Sequence, residues 1–318
     1  MNTYSILIPV YNTPINKLKR ALNSCLQFKD SSEIMIYDDG STKVKTYEKL
    51  IEKFSDLKIH YHRSDKNHGI LQARRYMTSN KSCISDYIIF LDSDDEFKPN
   101  AREIIDNTIN KNPGHKIYFF EDDLIPEGEL NMKNAHTYKN TFICNSAYIP
   151  PYVTGRVYES FYIYDLLEMQ FDDNDYISLG EDSLITYVMF RSICKWNTVT
   201  GYVVHNNFYQ RNDSTMSKLF KPGCSFSQIE TAYKRDSYHI ELFIESYIER
   251  FHYTISELEI ERLFSFAIRI SIGRFIQCDY FYKIIDLLVD DYGWQRVIDC
   301  FKNDQNLKPF LKEYFNKL

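Results

Sequence analysis

The chain lacks any apolar run that could cross a membrane, which takes about 20 consecutive apolar residues. It also lacks an excess of positive charge. Its formal net charge is −6, and this argues against general affinity for nucleic acid, because phosphate backbones demand a basic surface. We therefore expect a globular protein that works in the cytoplasm, with contact at the inner face of the membrane left open.

Cysteine pairs are lacking as well. The seven cysteines are dispersed, and none of their spacings resembles a zinc site. An odd, scattered set in a chain without a signal peptide predicts reduced thiols, which agrees with a cytoplasmic location. Their positions are Cys25, Cys83, Cys144, Cys194, Cys224, Cys278 and Cys300.

What the first hundred residues do contain is a regular alternation of strand and helix patterns. Strand patterns occupy positions 4–10, 33–37, 57–61 and 87–91, and those at 4–10 and 87–91 are the apolar runs expected of strands buried on both faces of a sheet. Between them, apolar residues recur at helical spacing, and Thr13 with Pro14 resembles a helix cap and first helical position. This alternation predicts an α/β fold with a mostly parallel, Rossmann-like sheet flanked by helices.

Acidic residues follow the last of these strands. Asp92, Ser93, Asp94 and Asp95 come directly after the run 87–91. On an extended backbone, side chains two residues apart point the same way, so Asp92 and Asp94 could converge on one hard cation, Mn²⁺ or Mg²⁺. Such an ion commonly shares its coordination with substrate phosphates. The alternative is a solvated acidic loop that caps a helix beginning near residues 99–100.

Four motifs in a fixed order resemble a known family. They occupy residues 8–12, 38–42, 69–74 and 91–95, and together they are similar to the inverting family 2 glycosyltransferases of the GT-A fold, found in bacterial glycan, capsule and lipooligosaccharide assembly. The resemblance covers about residues 3–100 well and 155–217 in part. It implies metal-dependent transfer of a sugar from a nucleotide-sugar, with a UDP-sugar favoured.

The resemblance also implies a set of site residues. Metal ligands would be Asp92 and Asp94, with His205 as a candidate third ligand. Donor-binding residues would be Pro9, Tyr11, Asp38, Asp39, Arg74, Asp92, Ser93 and Arg211. Of the two aspartates after the second strand, we expect one to bind the base and the other to hold the loop, with Asp39 favoured for the donor.

Each of these residues also has an ordinary structural interpretation. Tyr11 could be a packing aromatic, and an Asp-Gly pair is a strong turn signal by itself. Arg74 and Arg75 could form a solvated helix face, which we favour for Arg75. His205 and Arg211 could be surface residues, the latter in a salt bridge of little energetic weight.

The general base is predicted further along the chain. Glu181 and Asp182 stand at the start of an apolar helical pattern, where the helix dipole favours ionised carboxylates, and a simple capping pair is the alternative. The family pattern assigns the base to Asp182, with Glu181 as its neighbour or as a ligand of the acceptor hydroxyl. Competing carboxylates lie nearby at positions 172, 173 and 175.

Two domains are expected, because 318 residues exceed the usual size of a single core and the motifs end near residue 220. Residues 1–220 would form the GT-A nucleotide-sugar-binding catalytic domain. Residues 221–318 show apolar stripes at helical spacing and would form a helical appendage. These stripes would serve internal packing, with homo-oligomerisation or docking to a partner as the alternative.

The predicted function is transfer of a hexosyl or N-acetylhexosaminyl group from a UDP-sugar to a hydroxyl of a glycan or lipid-linked glycan acceptor. Two other functions stay open. One is a non-catalytic module that binds sugar-nucleotides or glycans. The other is a sugar-phosphate nucleotidyltransferase, which would share the fold and the metal but for which the amino terminus lacks a basic, glycine-rich phosphate loop.

Overall fold

The structure is a computed structural model of the 318-residue chain. It describes residues 2–42, 44–80, 85–120, 153–170, 182, 185, 201–204, 208–210, 225–251, 255, 257, 260–261, 263–265, 267–268 and 280–301. The chain divides into two compact units, Met1–Asp213 and Ser214–Leu318. The domain boundary at residue 220 stays a prediction beside this division.

The first unit is built on a seven-stranded sheet. In chain order its strands are β1 (Tyr4–Val10), β2 (Ser32–Asp38), β3 (Lys58–Arg63), β4 (Tyr87–Phe90), β6 (Ile117–Phe120), β7 (Arg156–Glu159) and β8 (Gly201–Val204), and they lie side by side in the order β3-β2-β1-β4-β7-β6-β8. A separate short pair joins β5 (Glu96–Phe97) to β9 (Tyr209–Gln210). The neighbours β3, β2, β1 and β4 are all parallel.

Helices cover the sheet of this unit. Their bounds are α1 (Ile15–Cys25), α2 (Val44–Ile51), α3 (Ile70–Ser79), α4 (Ala101–Lys111) and α5 (Ser160–Gln170). The alternate residues Tyr4, Ile6, Ile8 and Val10 of β1 share one core with buried side chains of α1, α2 and α4. The helix α3 packs on β1, β2 and α5 instead. Burial on both sides explains why β1 is almost entirely apolar.

The predicted fold class is confirmed, with one addition from the structure. The strand β7 is antiparallel to both β4 and β6, and β6 is parallel to β8. The sheet is therefore mixed but mostly parallel. The apolar pattern of a strand does not show whether the strand is parallel or antiparallel to its neighbours.

The start of α1 differs from the prediction. Pro14, not Thr13, is the cap residue, and no side chain caps this helix. Instead, the Thr13 hydroxyl lies 2.7 Å from the Ser93 hydroxyl, and the Thr13 carbonyl accepts a hydrogen bond from the Tyr47 hydroxyl at 2.7 Å. Tertiary partners have replaced the local cap.

The second unit is helical where it is described. The helices described from end to end are α6 (Phe226–Phe251), α7 (Phe281–Tyr292) and α8 (Trp294–Phe301). The buried hydroxyl of Tyr233 in α6 donates a hydrogen bond of 2.7 Å to Asp291 in α7. Among the residues that the structure describes, no helix is both long and apolar enough to cross a membrane.

Candidate functional site

The polar loops predicted from the sequence meet at one edge of the sheet. Val10 pairs with Asp38 where β1 and β2 end together, and the backbone N–H of Asp39 donates to the Val10 carbonyl at 2.8 Å. On the other side of β1, the N–H of Leu91 donates to the carbonyl of Leu7 at 3.0 Å. The loops after β1, β2 and β4 therefore leave the sheet side by side, as carboxyl ends of parallel strands do.

The loop after β1 presents an exposed aromatic ring. Pro9 is buried in β1, whereas Tyr11 is 54% exposed. The next residue, Asn12, has a left-handed backbone with φ of 50°, which Asn tolerates better than most residues. Its side-chain oxygen accepts hydrogen bonds from both the backbone N–H and the hydroxyl of Thr42, at 3.1 and 3.0 Å. These two hydrogen bonds, the Asn12–Thr42 clasp, join the loops after β1 and β2 and hold the backbone beside Tyr11.

Asp38 is the aspartate that holds the loop after β2. Its carboxylate is fully buried and accepts hydrogen bonds from the Ser41 N–H at 2.9 Å and the Tyr61 hydroxyl at 2.8 Å. The guanidinium of Arg63 lies 3.7 Å from the same carboxylate. Burial and the neighbouring Asp38 carboxylate raise the pKa of Tyr61, so this phenol remains a hydrogen-bond donor.

Asp39 is also buried, and it fixes a different segment. Its two carboxylate oxygens accept the backbone N–H groups of His68 at 2.8 Å and Gly69 at 2.9 Å. Burial raises the pKa of Asp39, and the two N–H groups oppose that effect because they stabilise the charged form. Each oxygen keeps a lone pair that could accept from a further donor.

The acidic loop after β4 does not have the extended backbone on which the metal prediction was based. Ser93 and Asp94 form a turn, closed by a hydrogen bond of 2.9 Å from the Asp95 N–H to the Asp92 carbonyl. Asp95 itself is buried. The apolar pattern of a strand carries no information about a turn that follows the strand. This turn was therefore not predicted.

Both predicted metal-binding carboxylates lie beside cations of the protein. Asp92 is 3.1 Å from the guanidinium of Arg74, and Asp94 is 3.2 Å from the ammonium group of Lys17. Each side chain is about one-third exposed, at 35% and 31%. Within the described residues, no three His, Cys, Asp or Glu side chains gather to hold a metal ion. Two partly exposed carboxylates nevertheless fit Mg²⁺ or Mn²⁺ when phosphates and waters complete the coordination.

Arg74 joins two parts of the site. Its guanidinium is 1% exposed, and it donates to Asp92 at 3.1 Å and to Asp182 at 2.5 Å. Asp182, the predicted base, is thereby brought next to the loop after β4. The solvated position favoured for Arg75 was wrong: this side chain is only 7% exposed and donates to Gln72 at 3.0 Å.

Three of the predicted site residues lie outside the described residues: Glu181, His205 and Arg211. The same holds for the competing carboxylates at 172, 173 and 175. Lys17 and Tyr61 were not predicted as site residues, because they belong to an ordinary amphipathic helix pattern and an ordinary strand pattern. Only the fold places them against Asp94 and Asp38.

Sequence comparison identifies the amino-terminal part of the chain. Residues 5–139 match the family model described as Glycosyl transferase family 2. The chain is similar to the minor teichoic acid biosynthesis protein GgaA of Bacillus subtilis strain 168, with 36% identity over 107 residues, which are 32% of this chain and 24% of GgaA. It is also similar to an uncharacterized glycosyltransferase of Rickettsia felis, 41% identical over 102 residues, which are 31% of this chain and 16% of that protein. The chain thus spans a quarter or less of these curated relatives.

Structural comparison extends over nearly the whole chain. Crystal structures of S. aureus TarS 1-349 with UDP-GlcNAc and with UDP each cover 96% of this chain and 91% of their own. Their TM-scores are 0.52 and 0.50 at 16% and 15% identity, which supports a shared fold. The motifs, the sheet and these matches agree: residues 5–139 match glycosyltransferase family 2, and the chain shares the α/β fold of TarS, which is the expected GT-A fold.

Proposed function

We propose that the protein is a metal-dependent, inverting glycosyltransferase that transfers a sugar from a UDP-sugar to a hydroxyl group of a glycan acceptor. The observation that carries this proposal is the convergence of the loops after β1, β2 and β4 with Asp182 at one edge of the sheet. This arrangement supplies one group for each part of the reaction.

The base and ribose of the donor would bind between the first two loops. Tyr11 is exposed enough to cover a flat base, and the Asn12–Thr42 clasp fixes its loop. Asp39 is our candidate to accept the N3–H of uracil. Asp38 is less suited to this role, because it is fully buried and already holds Ser41, Tyr61 and Arg63.

The diphosphate would lie over the loop after β4. Asp92 and Asp94 would hold a divalent cation there, and the Lys17 ammonium would pass from Asp94 to the phosphates or remain as a second positive charge. When bound, the cation neutralises charge on the diphosphate as it departs. The carboxylates at this loop would otherwise repel an anionic donor.

Asp182 would act as the general base. As an oxygen of the acceptor attacks the anomeric carbon, Asp182 removes the proton of that hydroxyl, and the bond from the anomeric carbon to the diphosphate breaks with its electron pair leaving on UDP. One such displacement inverts the anomeric configuration. Asp182 is 24% exposed, so an acceptor can reach it.

The relatives suggest which sugar and acceptor to test first. TarS was crystallised with UDP-GlcNAc, and GgaA is a teichoic acid biosynthesis protein. We therefore propose N-acetylglucosamine as the first donor sugar and a polyol-phosphate polymer of the teichoic acid type as the first acceptor. The location would be the cytoplasm, with lipid-linked acceptors met at the inner face of the membrane.

A donor panel tests the proposal directly. Binding of UDP-GlcNAc, UDP-glucose, UDP, GDP and CDP would be measured by calorimetry with and without MnCl₂, and UDP release would be followed with and without a polyol-phosphate polymer. We expect UDP compounds to bind with Mn²⁺ and the polymer to accelerate UDP release. Absence of binding by every UDP compound would exclude this function, and a product with retained anomeric configuration would exclude the inverting mechanism.

A further inference from the structure

The two terminal nitrogens of Arg74 serve two different carboxylates. One donates to Asp182, which is 108 positions away in sequence, and the other to Asp92, 18 positions away. A guanidinium can do this because its donors form a rigid planar fork, whereas a lysine ammonium is a single point charge. Arg74 therefore forms a physical link between the helix position of Asp182 and the loop after β4.

The guanidinium group of Arg74 also packs against a buried aromatic ring. The guanidinium carbon lies 5.7 Å from the centroid of the Phe90 ring, and that ring packs edge-on against Tyr158 at 5.9 Å. Arg74, Phe90 and Tyr158 are all almost fully buried. Since the strands β4 and β7 carry the two rings, the sheet itself restricts where the guanidinium can lie.

Direct binding of the donor explains this geometry less well. An arginine that binds diphosphate presents its terminal nitrogens to the ligand. Those of Arg74 point to two aspartates, and its side chain is only 1% exposed. If the guanidinium were absent, the carboxylates of Asp92 and Asp182 would face each other as like charges, which disfavours their joint presence as ions.

We propose that Arg74 is a positioning residue: it holds Asp182 in line with the donor loop at Asp92, so that the base is placed for reaction without Arg74 touching the donor. This inference rests on the proposed function, in which Asp182 is the base. It assigns to Arg74 an effect on turnover that passes through Asp182.

A double-mutant cycle on the full-length protein tests the link. Arg74→Met, Asp182→Asn and the double variant would be compared for UDP release from UDP-GlcNAc with MnCl₂ and the polyol-phosphate polymer, for UDP affinity and for melting temperature. We expect each single substitution to lower kcat by about 10²-fold, as for loss of a general base. The kcat of the double variant should lie within about threefold of the kcat of Asp182→Asn. UDP affinity should change less than about threefold.

Two further variants control for general damage. Arg74→Lys keeps the charge but removes the fork, so kcat should fall at least about tenfold with an unchanged KM for the donor. Arg75→Lys alters the neighbouring buried arginine, which donates to Gln72, and should keep kcat within about twofold. Should Arg74→Met fail to fold, Arg74→Lys alone decides, and wild-type kcat in that variant overturns the proposal.

Failure of the two proposals can be told apart. A wild-type protein that binds no UDP compound refutes the proposed function. In an active protein, additive losses in the cycle, or a tenfold loss of UDP affinity in Arg74→Lys, refute only the positioning role. The melting temperatures give a test independent of activity: additive shifts for Arg74→Met and Asp182→Asn would mean that the two side chains are not linked.

Discussion

The ammonium nitrogen of Lys17 lies 3.2 Å from a carboxylate oxygen of Asp94, so helix α1 is paired with the loop after β4. Lys17 is 13% exposed and Asp94 31% exposed, which places this ion pair at the surface of the proposed metal site. A divalent cation bound to Asp94 would compete with this ammonium group. In the proposed function, the cation would therefore displace this ammonium group from Asp94 or bind beside it.

Asp94→Asn should abolish both turnover and the Mn²⁺ dependence of UDP binding, because it removes a charged ligand from a hard cation. Calorimetry with UDP, with and without MnCl₂, would measure the effect. Asp56→Asn, a change at an exposed aspartate, serves as the control and should leave the Mn²⁺ dependence intact. An Asp94→Asn variant whose UDP affinity still rises normally with Mn²⁺ would contradict the metal assignment.

Asp182→Asn should lower turnover by about 10²-fold or more and leave UDP affinity nearly unchanged, since a general base acts in the transition state and not in donor binding. Steady-state rates and calorimetry on the same preparation separate the two effects. Asp173→Asn and Asp175→Asn are the matched comparisons. If one of these abolishes turnover while Asp182→Asn remains active, the base is that residue instead.

Tyr11→Ala should weaken UDP binding by about 1–3 kcal/mol, the value of one base stacked on an aromatic ring, and Tyr11→Phe should keep most of the affinity. Tyr76 is the control, because it is another exposed tyrosine at 41% and lies on α3. Tyr76→Ala should not change UDP affinity. Equal effects of the two alanine substitutions would remove Tyr11 from the donor site.

Tyr61→Phe should lower the free energy of unfolding by about 1–3 kcal/mol, because it takes a hydrogen-bond donor from the buried Asp38 carboxylate. Urea denaturation would measure this loss. Tyr76→Phe, whose hydroxyl is exposed and 3.4 Å from His62, should cost much less. In the proposed function Asp38 holds the loop, whereas Asp39 contacts the base. We therefore expect only a small change in UDP affinity for Tyr61→Phe. A stability equal to wild type would mean that this hydrogen bond is not needed.

Much of the first unit was predictable from local patterns. Strand patterns predicted β1, β2, β3 and β4 within one or two residues. The strands β1 and β4 are largely apolar because they are buried on both faces, whereas the edge strand β3 is only partly buried. Parallel strand direction predicted that the loops carrying Tyr11, Asp39 and Asp92 leave the same edge of the sheet. The antiparallel direction of β7 was not predicted, since the direction of a strand depends on which neighbours it pairs with.

The sequence by itself determined the α/β class and the edge of the sheet on which the polar loops lie, because both follow from short-range periodicity and from parallel strand direction. Only the tertiary structure decided the partners of the charges. The pairing of Arg74 with Asp182, and of Lys17 with Asp94, joins residues 108 and 77 positions apart. The contact of the Ser93 hydroxyl with Thr13 likewise joins two different loops. Local spacing carries no record of such contacts, so the chemistry of the site emerges only when the chain has folded.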